Sequence, residues 1–168
     1  MKPVIRKFSE LDYESLCCLL SDPKVMLYLE PPYSKEQTGL FLQAALSECP
    51  PVYAVEVDGH FIGYVIYHSY DQDSMEIGWV LFPDYWGKGY ASELTDQMIN
   101  KARNAGKALV IECDPEQKAT KHIAVKHGFT WSERSDGLDI YRLLSQLLSV
   151  CSGKEYRNLR GSWNGHRD

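Results

Sequence analysis

The sequence lacks the patterns that mark metal-binding, membrane-spanning and nucleic-acid-binding proteins. Its five cysteines include no Cys-x-x-Cys pair and its five histidines do not cluster, so no bound metal is expected. No segment approaches the ~20 consecutive apolar residues that a membrane-spanning helix needs, and residues 1–12 carry no apolar run typical of a secretory signal. A formal net charge of −5 argues against nonspecific binding to nucleic acid, which requires a basic surface.

The remaining composition is that of an ordinary soluble domain. Apolar residues make up 44% and charged residues 24% of the 168 residues, which is typical of one globular domain. An odd number of cysteines without paired spacing indicates reduced thiols, and we therefore expect a cytoplasmic protein. The small negative charge favours a cationic substrate, although such a charge is equally what keeps a protein in solution.

Apolar periodicity and turn signals predict a mixed α/β domain with the element order β-α-α-β-β-β-α-β-α-β-β. Two helix starts are predicted from capping-box pairs, Ser9 with Asp12 and Ser34 with Gln37. The pair Asp58-Gly59 predicts a tight hairpin. The predicted segments are, in chain order, residues 3–8, 9–20, 34–46, 52–57, 61–68, 75–82, 89–105, 108–113, 115–126, 129–134 and 138–144. Breaks after the first helix are predicted at Pro23, Pro31 and Pro32.

Residues 82–92, FPDYWGKGYAS, place two glycines between a predicted strand and a predicted helix. The first N–H groups of a helix have no partner within the helix and lie at the positive end of its dipole, so they bind phosphate where no side chain keeps the anion away. The spacing matches neither GxxxxGK[ST] nor GxGxxG, because Tyr90 follows Gly89 and Ser92 stands where the last glycine belongs. We interpret the segment as a diphosphate cradle; an ordinary glycine-containing turn before a helix is the alternative interpretation. Its residues are Gly87, Lys88, Gly89, Tyr90, Ala91 and Ser92.

A wider pattern surrounds this cradle. The strand EIGWVLFPDYW, the turn GKGYA, a long helix, a buried strand and the segment DPEQKATKHIAVKHGF together closely resemble the GNAT superfamily of acyl-CoA-dependent N-acetyltransferases. Within that superfamily, the resemblance is to the branch that acetylates the N-terminal alanine or serine of ribosomal proteins. It covers residues 3–144 and implies the GNAT fold, in which two central parallel strands splay apart. Here those strands are residues 75–82 and 108–113.

The resemblance implies acetyl-CoA as co-substrate and no metal. In the family, the end of the first splayed strand offers backbone groups to the pantetheine arm and to the thioester carbonyl; the matching residues are Trp79, Val80 and Leu81. The diphosphate would rest on the cradle amides, with Lys88 adding one charge. Gln117 stands where many relatives have an Asn that hydrogen-bonds the pantetheine, and it offers the same donor and acceptor groups. An ordinary first-turn residue of the helix is the alternative at this position.

Two further positions depart from the family pattern. Trp86 replaces the usual Gln or Arg, so the cradle would depend on amides and Lys88, and we expect Trp86 and Tyr85 to pack over the helix start. Ala124 replaces a Tyr that donates a proton to the leaving thiolate in many members. Thr120 matches a Ser proposed as its substitute in the ribosomal-protein branch; a threonine on the helix surface is the alternative interpretation.

Direct transfer of an acetyl group needs the attacking amine to be deprotonated, so a general base is expected. Several side chains are candidates for it. Glu76 on the first splayed strand is the candidate, and strand alternation places it on the same face as Val80. A solvent-facing carboxylate at the start of a strand is the alternative. Asp71, Asp73 and Tyr141 are further candidates.

The resemblance implies an N-acetyltransferase that acts on a primary amine, either a protein N-terminus or a small molecule. Polyamines, amino acids and aminoglycosides are alternative acceptors, and a non-catalytic acyl-CoA-binding module is an alternative of another class. Relatives frequently dimerise, which leaves a homodimer open. The domain is predicted to span residues 1–148, followed by a polar tail over residues 149–168 in which Tyr156, Leu159 and Trp163 are available for packing.

Overall fold

The computed structural model describes residues 1–144, which form a seven-stranded mixed sheet with helices on both faces. The strands are β1 (Val4–Arg6), β2 (Val52–Val57), β3 (His60–Ser69), β4 (Ser74–Leu81), β5 (Ala108–Cys113), β6 (Thr130–Ser135) and β7 (Leu138–Leu143). The helices are α1 (Tyr13–Leu20), α2 (Pro23–Met26), α3 (Lys35–Ala45), α4 (Tyr90–Asn104) and α5 (Lys118–Lys126), with 3-10 turns at Glu10–Asp12 and Pro83–Tyr85. The predicted α/β class and element order are confirmed, and α2 is an addition to them.

The central strands β4 and β5 are parallel neighbours that pair over only part of their length. The sheet order is β1-β2-β3-β4-β5-β7-β6, and every other neighbouring pair is antiparallel. The β4–β5 pairing covers only three positions, from Ser74 opposite Ala108 to Glu76 opposite Val110. Beyond them β4 remains paired with β3 as far as Leu81, and β5 remains paired with β7. The two strands therefore diverge toward their carboxyl ends, as the resemblance to the GNAT superfamily implied.

Side chains of β4 alternate between two hydrophobic cores, as strand geometry requires. Ile77 and Leu81 lie in the core that α4 and α5 cover, whereas Val80 lies in the opposite core under α1, α2 and α3. Fully buried residues of the first core include Leu94, Met98, Leu109 and Ile111; those of the second include Leu16 and Leu19. Because β4 is anchored on both faces and along β3, its carboxyl end has one open edge, the edge that faces β5.

The start of α1 is fixed by a buried ion pair. Asp12 is 5% exposed, and its two carboxylate oxygens accept hydrogen bonds of 2.8 and 2.7 Å from Arg6, whose Nε donates to Glu56 at 2.6 Å. The backbone N–H of Ser9 also donates to Asp12 at 2.8 Å, as the predicted capping box requires. Burial by itself raises the pKa of the Asp12 carboxyl, but the hydrogen bonds from Arg6 and Ser9 outweigh it and hold the pKa below its usual value.

Two helix boundaries differ from prediction for local reasons. Pro23 does not simply interrupt the chain: it begins α2, where its missing N–H costs nothing, and Asp22 caps the helix by accepting from Lys24 N–H at 2.8 Å. The helix predicted from Pro115 begins only at Lys118. The Asp114 carboxylate accepts from the Glu116 N–H at 2.8 Å, and this side-chain turn takes the place of the first helical turn.

The predicted domain boundary at residue 148 and the predicted tail over residues 149–168, with Tyr156, Leu159 and Trp163, lie outside the described residues. Within residues 1–144, no helix has the length and apolar content needed to cross a membrane.

The Arg6–Asp12 pair makes stability sensitive to acid. Because the pKa of Asp12 is lowered in the folded state, its stabilising contribution is complete above the unfolded-state pKa near ~3.9 and is lost as the pH falls through the folded-state value. We expect Asp12→Asn to lower the free energy of unfolding at pH 7 by about 1.5–3 kcal/mol, the range for a hydrogen bond to a charged group. The acid end of the stability curve should become flatter in this variant. Urea titrations at several pH values from about 2 to about 7 measure both the free energy of unfolding at neutral pH and its decrease in acid.

Glu10→Gln is the matched control, since Glu10 is an exposed carboxylate in the same turn. It should leave both the stability at pH 7 and the acid dependence nearly unchanged. Equal losses in the two variants would contradict the assignment of the acid dependence to the Asp12 pair.

Candidate active site

A cleft of about 580 Å³ lies at the open edge of β4. Its walls are the end of β4, the loop and first turn that begin α4, one side of α5, and the chain from α2 to residue 29. Among the residues predicted to bind acetyl-CoA, those that line the cleft are Trp79, Val80, Leu81, Gly87, Gly89, Tyr90, Ala91, Ser92 and Gln117. Consecutive side chains of a strand point to opposite faces. Three consecutive β4 residues therefore line one cleft only because the cleft meets the backbone edge of the strand.

The cradle has the backbone geometry that its glycines allow. Gly87 and Gly89 have φ of +69° and +85°, a left-handed conformation that glycine adopts without steric cost. A Cβ at either position would meet no atom within 4 Å, so both face open space. The first helical hydrogen bond of α4 runs from the Glu93 N–H to the Gly89 carbonyl at 3.1 Å. The N–H groups that precede it have no acceptor within the helix.

Aromatic side chains hold this loop against the strand. The indole N–H of Trp86 donates to the Leu81 carbonyl at 2.8 Å, so Trp86 connects the cradle to the end of β4 by a hydrogen bond that the sequence did not predict. The rings of Tyr85 and Tyr90 are 5.9 Å apart. Lys88 does not line the cleft: its ammonium lies 5.7 Å from the centre of the Tyr85 ring. The structure therefore brings the Lys88 backbone, but not its side chain, into the cradle.

Gly63 of β3 fixes the end of β4 from the other edge. It lies opposite Leu81 with φ of +150°. A Cβ here would overlap the Val80 carbonyl oxygen and lie 2.8 Å from the Leu81 Cα. These are backbone atoms of a strand anchored in two cores, and they cannot move aside without shifting the strand. The position thus requires glycine, and it sets the placement of the backbone that faces the cleft.

On α5 the structure separates two predicted positions. Thr120 lines the cleft, so its hydroxyl is available to a ligand there. Ala124, at the position of the family's acidic tyrosine, is fully buried in the core under α4 and α5. No side chain at residue 124 donates a proton in this protein.

Glu76 is the last residue of β4 that pairs with β5, and the two strands diverge after it. It shares the face of Val80, as predicted, but does not line the cleft. One carboxylate oxygen lies 3.2 Å from Nε2 of His68. Burial raises the pKa of Glu76, the neighbouring carboxylate of Glu112 raises it further, and His68 partly opposes both.

The other predicted bases have structural roles. Asp71 accepts hydrogen bonds from the N–H groups of Asp73 and Ser74 at 2.9 and 2.8 Å, which closes the turn before β4. The Asp73 carbonyl accepts from the Ala108 N–H at 3.0 Å. Tyr141 is 7% exposed and belongs to the hydrophobic core. None of the three predicted side chains lines the cleft.

The cleft also contains residues that the sequence analysis did not identify. Those on α5 follow helical spacing from Ala119 and Thr120, and that period could have found them: His122, Ile123 and Lys126. Those in and after α2 have no comparable signal, because only the chain path brings them to the opening: Lys24, Val25, Leu27, Tyr28 and Leu29.

Comparison with known proteins identifies the family of this site. The family model of the acetyltransferase (GNAT) domain matches residues 4–130, most of the chain. The chain belongs to the GNAT acetyltransferase family. The matched segment includes the whole cleft as well as β1 through α5. As a GNAT member, the protein is an acetyl-CoA-dependent acetyltransferase.

Individual relatives agree with the GNAT assignment. The chain is 27% identical over 132 residues to the uncharacterized N-acetyltransferase YnaD of Bacillus subtilis (strain 168), covering 74% of this chain and 77% of YnaD. It is structurally similar to an acetyltransferase (GNAT family) from Bacillus anthracis, with a TM-score of 0.78, 25% identity and coverage of 87% and 96% of the two chains.

Two more distant GNAT structures share the fold. The spermidine N-acetyltransferase of Vibrio cholerae, solved with CoA and spermine, gives a TM-score of 0.73 at 19% identity, with coverage of 88% and 98%. RimL, a ribosomal L7/L12 alpha-N-protein acetyltransferase solved with coenzyme A, gives a TM-score of 0.73 at 20% identity, with coverage of 88% and 96%. The two act on different amines by name, so their shared fold does not select an acceptor for this chain. Within the described residues there is no cluster of three or more metal-ligating side chains.

The cradle geometry predicts a selective loss of CoA binding in Gly89→Ala. A Cβ at Gly89 would strain a left-handed residue and project into the open space of the cleft. We expect CoA affinity to fall by at least about tenfold, equivalent to ~1.4 kcal/mol. Isothermal titration with CoA measures the affinity, and thermal unfolding without ligand measures the strain, about 1–2 kcal/mol for a left-handed residue.

Gly106→Ala is the matched control. Gly106 follows the other end of α4 with φ of +65° and open surroundings, and it does not line the cleft. It should lose similar stability but keep its CoA affinity. If both variants bind CoA as the unaltered protein does, the cradle assignment is wrong.

Proposed function

We propose that this chain transfers the acetyl group of acetyl-CoA directly to a primary amine, on a protein N-terminus or a small molecule. The supporting observation is the single cleft that joins a glycine-rich helix start to the open edge of β4. One part of the cleft offers unpaired amides to a diphosphate, and the other offers strand backbone to a pantetheine arm and its thioester. This arrangement suits a long thioester carrier better than a nucleotide alone.

In the proposed reaction, the amine nitrogen attacks the acetyl carbonyl carbon, the new C–N bond forms, and the C–S bond breaks to release the CoA thiolate. At the free edge of β4, the backbone N–H groups of Trp79 and Leu81 stabilise the charge that develops on the carbonyl oxygen, since the Val80 N–H faces β3. The Thr120 hydroxyl hydrogen-bonds the departing sulfur. The ammonium group gives one proton to the base before attack, the nitrogen loses a second as the amide forms, and the thiolate takes one from water. Atoms and charge therefore balance, with one proton released overall.

Glu76 is the proposed proton acceptor, through an intervening water because it does not line the cleft. Two observations support it over the other carboxylates. It stands where β4 and β5 begin to diverge, and its pKa is raised by burial and by Glu112. A carboxylate with a raised pKa is a stronger base than an ordinary exposed one, which is what removal of a proton from an ammonium group requires.

The proposed acceptor is a protein N-terminal amine, in line with the motif resemblance to the ribosomal-protein branch. An α-amine, with a typical pKa near ~8, demands less of its base than an aliphatic amine near ~10. A polyamine is a second candidate acceptor. It is favoured by the carboxylates of Glu76 and Glu112 on neighbouring strands, which are close enough for Glu112 to raise the pKa of Glu76.

An amine screen tests the proposed activity. Free CoA thiol is monitored with acetyl-CoA and separate panels of peptides beginning with serine or alanine, polyamines, amino acids and aminoglycosides. We expect sustained thiol release with the peptides and slower release with the other panels. Preference for a polyamine would move the assignment to the second candidate. CoA binding without release above the acceptor-free rate in any panel would refute catalysis and leave an acyl-CoA-binding module.

Replacing the proposed base should separate chemistry from binding. Glu76→Gln removes the proton acceptor, so we expect kcat with the best acceptor to fall by about 10²-fold, within the range for general base catalysis. The Kd for CoA should not change. In the unaltered protein, kcat should fall as the pH drops through the raised pKa of Glu76. This acid limb of the kcat–pH profile should be absent in the variant.

Glu112→Gln is the comparison variant, because Glu112 is a neighbouring carboxylate on β5. It should retain kcat, and it should shift the acid limb of the profile to lower pH, because Glu112 raises the pKa of Glu76. Retention of full kcat by Glu76→Gln would show that another group takes the proton.

A further inference from the structure

A chain of hydrogen bonds crosses from α4 to the end of α5 beside the cradle. Asp96 Oδ1 lies 3.0 Å from Nδ1 of His127. The other ring nitrogen of His127, Nε2, lies 2.8 Å from Oγ of Ser92. The Lys126 ammonium donates to the same Ser92 oxygen at 2.9 Å. Four side chains, on α4, on α5 and at the residue that caps α5, thus form one connected network.

The chemistry of the end members fixes the direction of every bond when His127 is neutral. An ammonium can only donate and a carboxylate can only accept. Nδ1 must therefore carry the ring proton and donate to Asp96, while Ser92 accepts from Lys126 and donates its own proton to Nε2. No member of the network has an alternative orientation that keeps all three bonds.

The network meets the cleft at one end only. Ser92 and Lys126 line the cleft, whereas the His127 side chain is 8% exposed and does not line it. Asp96 is 58% exposed and lies one turn after Ser92 on the same face of α4. Nothing in the acetyl-transfer step uses His127 or Asp96. The buried His127 ring connects the surface carboxylate of Asp96 to the Ser92 hydroxyl in the cleft. It can instead fix the positions of that hydroxyl and of the ammonium group beside it.

We propose that Asp96 and His127 are positioning residues that hold the Ser92 hydroxyl and the Lys126 ammonium as a side-chain wall of the diphosphate cradle. This inference rests on the proposed function, because it assumes that the cradle binds the diphosphate of CoA. Ser92 is the third residue of α4, next to the unpaired amides, so an anion on those amides also meets its Oγ and the ammonium of Lys126. The wall supplies the cationic group that Lys88, turned onto Tyr85, does not supply.

The same order of serine, histidine and aspartate activates a nucleophile in hydrolases. Here the Ser92 oxygen already accepts a hydrogen bond from an ammonium, and it adjoins the cradle rather than the open edge of β4, where the thioester would lie. The geometry therefore points to anion binding and not to an acyl-serine intermediate.

Two substitutions of His127 separate its two hydrogen bonds. The amide of Asn reaches the position of Nδ1, so His127→Asn keeps a donor to Asp96 and loses the contact with Ser92. The amide of Gln reaches the position of Nε2, so His127→Gln keeps an acceptor for Ser92 and loses the contact with Asp96. Binding of CoA, dephospho-CoA and pantetheine to each variant is measured by isothermal titration, with thermal unfolding of the unliganded proteins to monitor folding.

We expect His127→Asn to bind CoA and dephospho-CoA about tenfold more weakly, the effect of one misplaced hydrogen bond to a charged group, with pantetheine affinity unchanged. His127→Gln should lose less. In a Ser92→Ala background His127→Asn should cost nothing more, because coupled residues are not additive. Equal losses for all three ligands, or equal losses in the two variants, would show a helix-packing role and overturn the proposal. A loss confined to CoA would assign the wall to the 3′-phosphate and would also overturn it.

The failure of the underlying assumption has a different signature. If the unaltered protein binds none of the three ligands, the cradle itself is refuted. If it binds CoA and His127→Asn binds CoA equally well, the cradle stands and only the positioning role is refuted.

Discussion

The site depends on the loss of pairing between β4 and β5 after Glu76 and Val110. A strand in the middle of a sheet normally pairs its backbone N–H and C=O groups with the strands on both sides. Here β4 keeps β3 along its full length but gives up β5 after three positions, so the backbone at its carboxyl end faces open space. Unpaired backbone groups that are not satisfied by the protein are costly unless water or a ligand reaches them, and the cleft provides that access.

Several independent features keep β4 in place despite this missing neighbour. Alternate side chains are anchored in opposite cores. Gly63 allows close approach of β3 to the Val80–Leu81 backbone, and Trp86 bonds the carbonyl of Leu81. A groove edge that is rigid in the absence of ligand does not have to be ordered on binding, which reduces the entropic cost of recognition.

Three buried or partly buried carboxylates differ in pKa according to the side chains that they contact. The Asp139 side chain, 4% exposed, accepts from Arg134 and Lys121, and these cations hold its pKa well below the usual range while joining α5 to the β6–β7 hairpin. Asp12 is likewise held ionised by Arg6. Within residues 1–144, Glu76 pairs only with His68, and burial raises its pKa instead. The first two carboxylates are structural, whereas the third is the one proposed above as the proton acceptor.

The sequence by itself determined the class of fold, the order of elements, the hairpin at Asp58-Gly59 and the composition of the cradle. Those features follow from local rules, since periodicity, capping and glycine conformations involve residues close together in the chain. Two positions were not predictable in this way: the Lys88 charge was expected in the cradle but lies over Tyr85, and no spacing revealed the contacts of His127 with Asp96 and Ser92. Tertiary packing alone decided which side chains meet across α4 and α5, and which carboxylate is partly buried without a Lys or Arg partner. Contacts between residues distant in the chain depend on how every intervening element is placed.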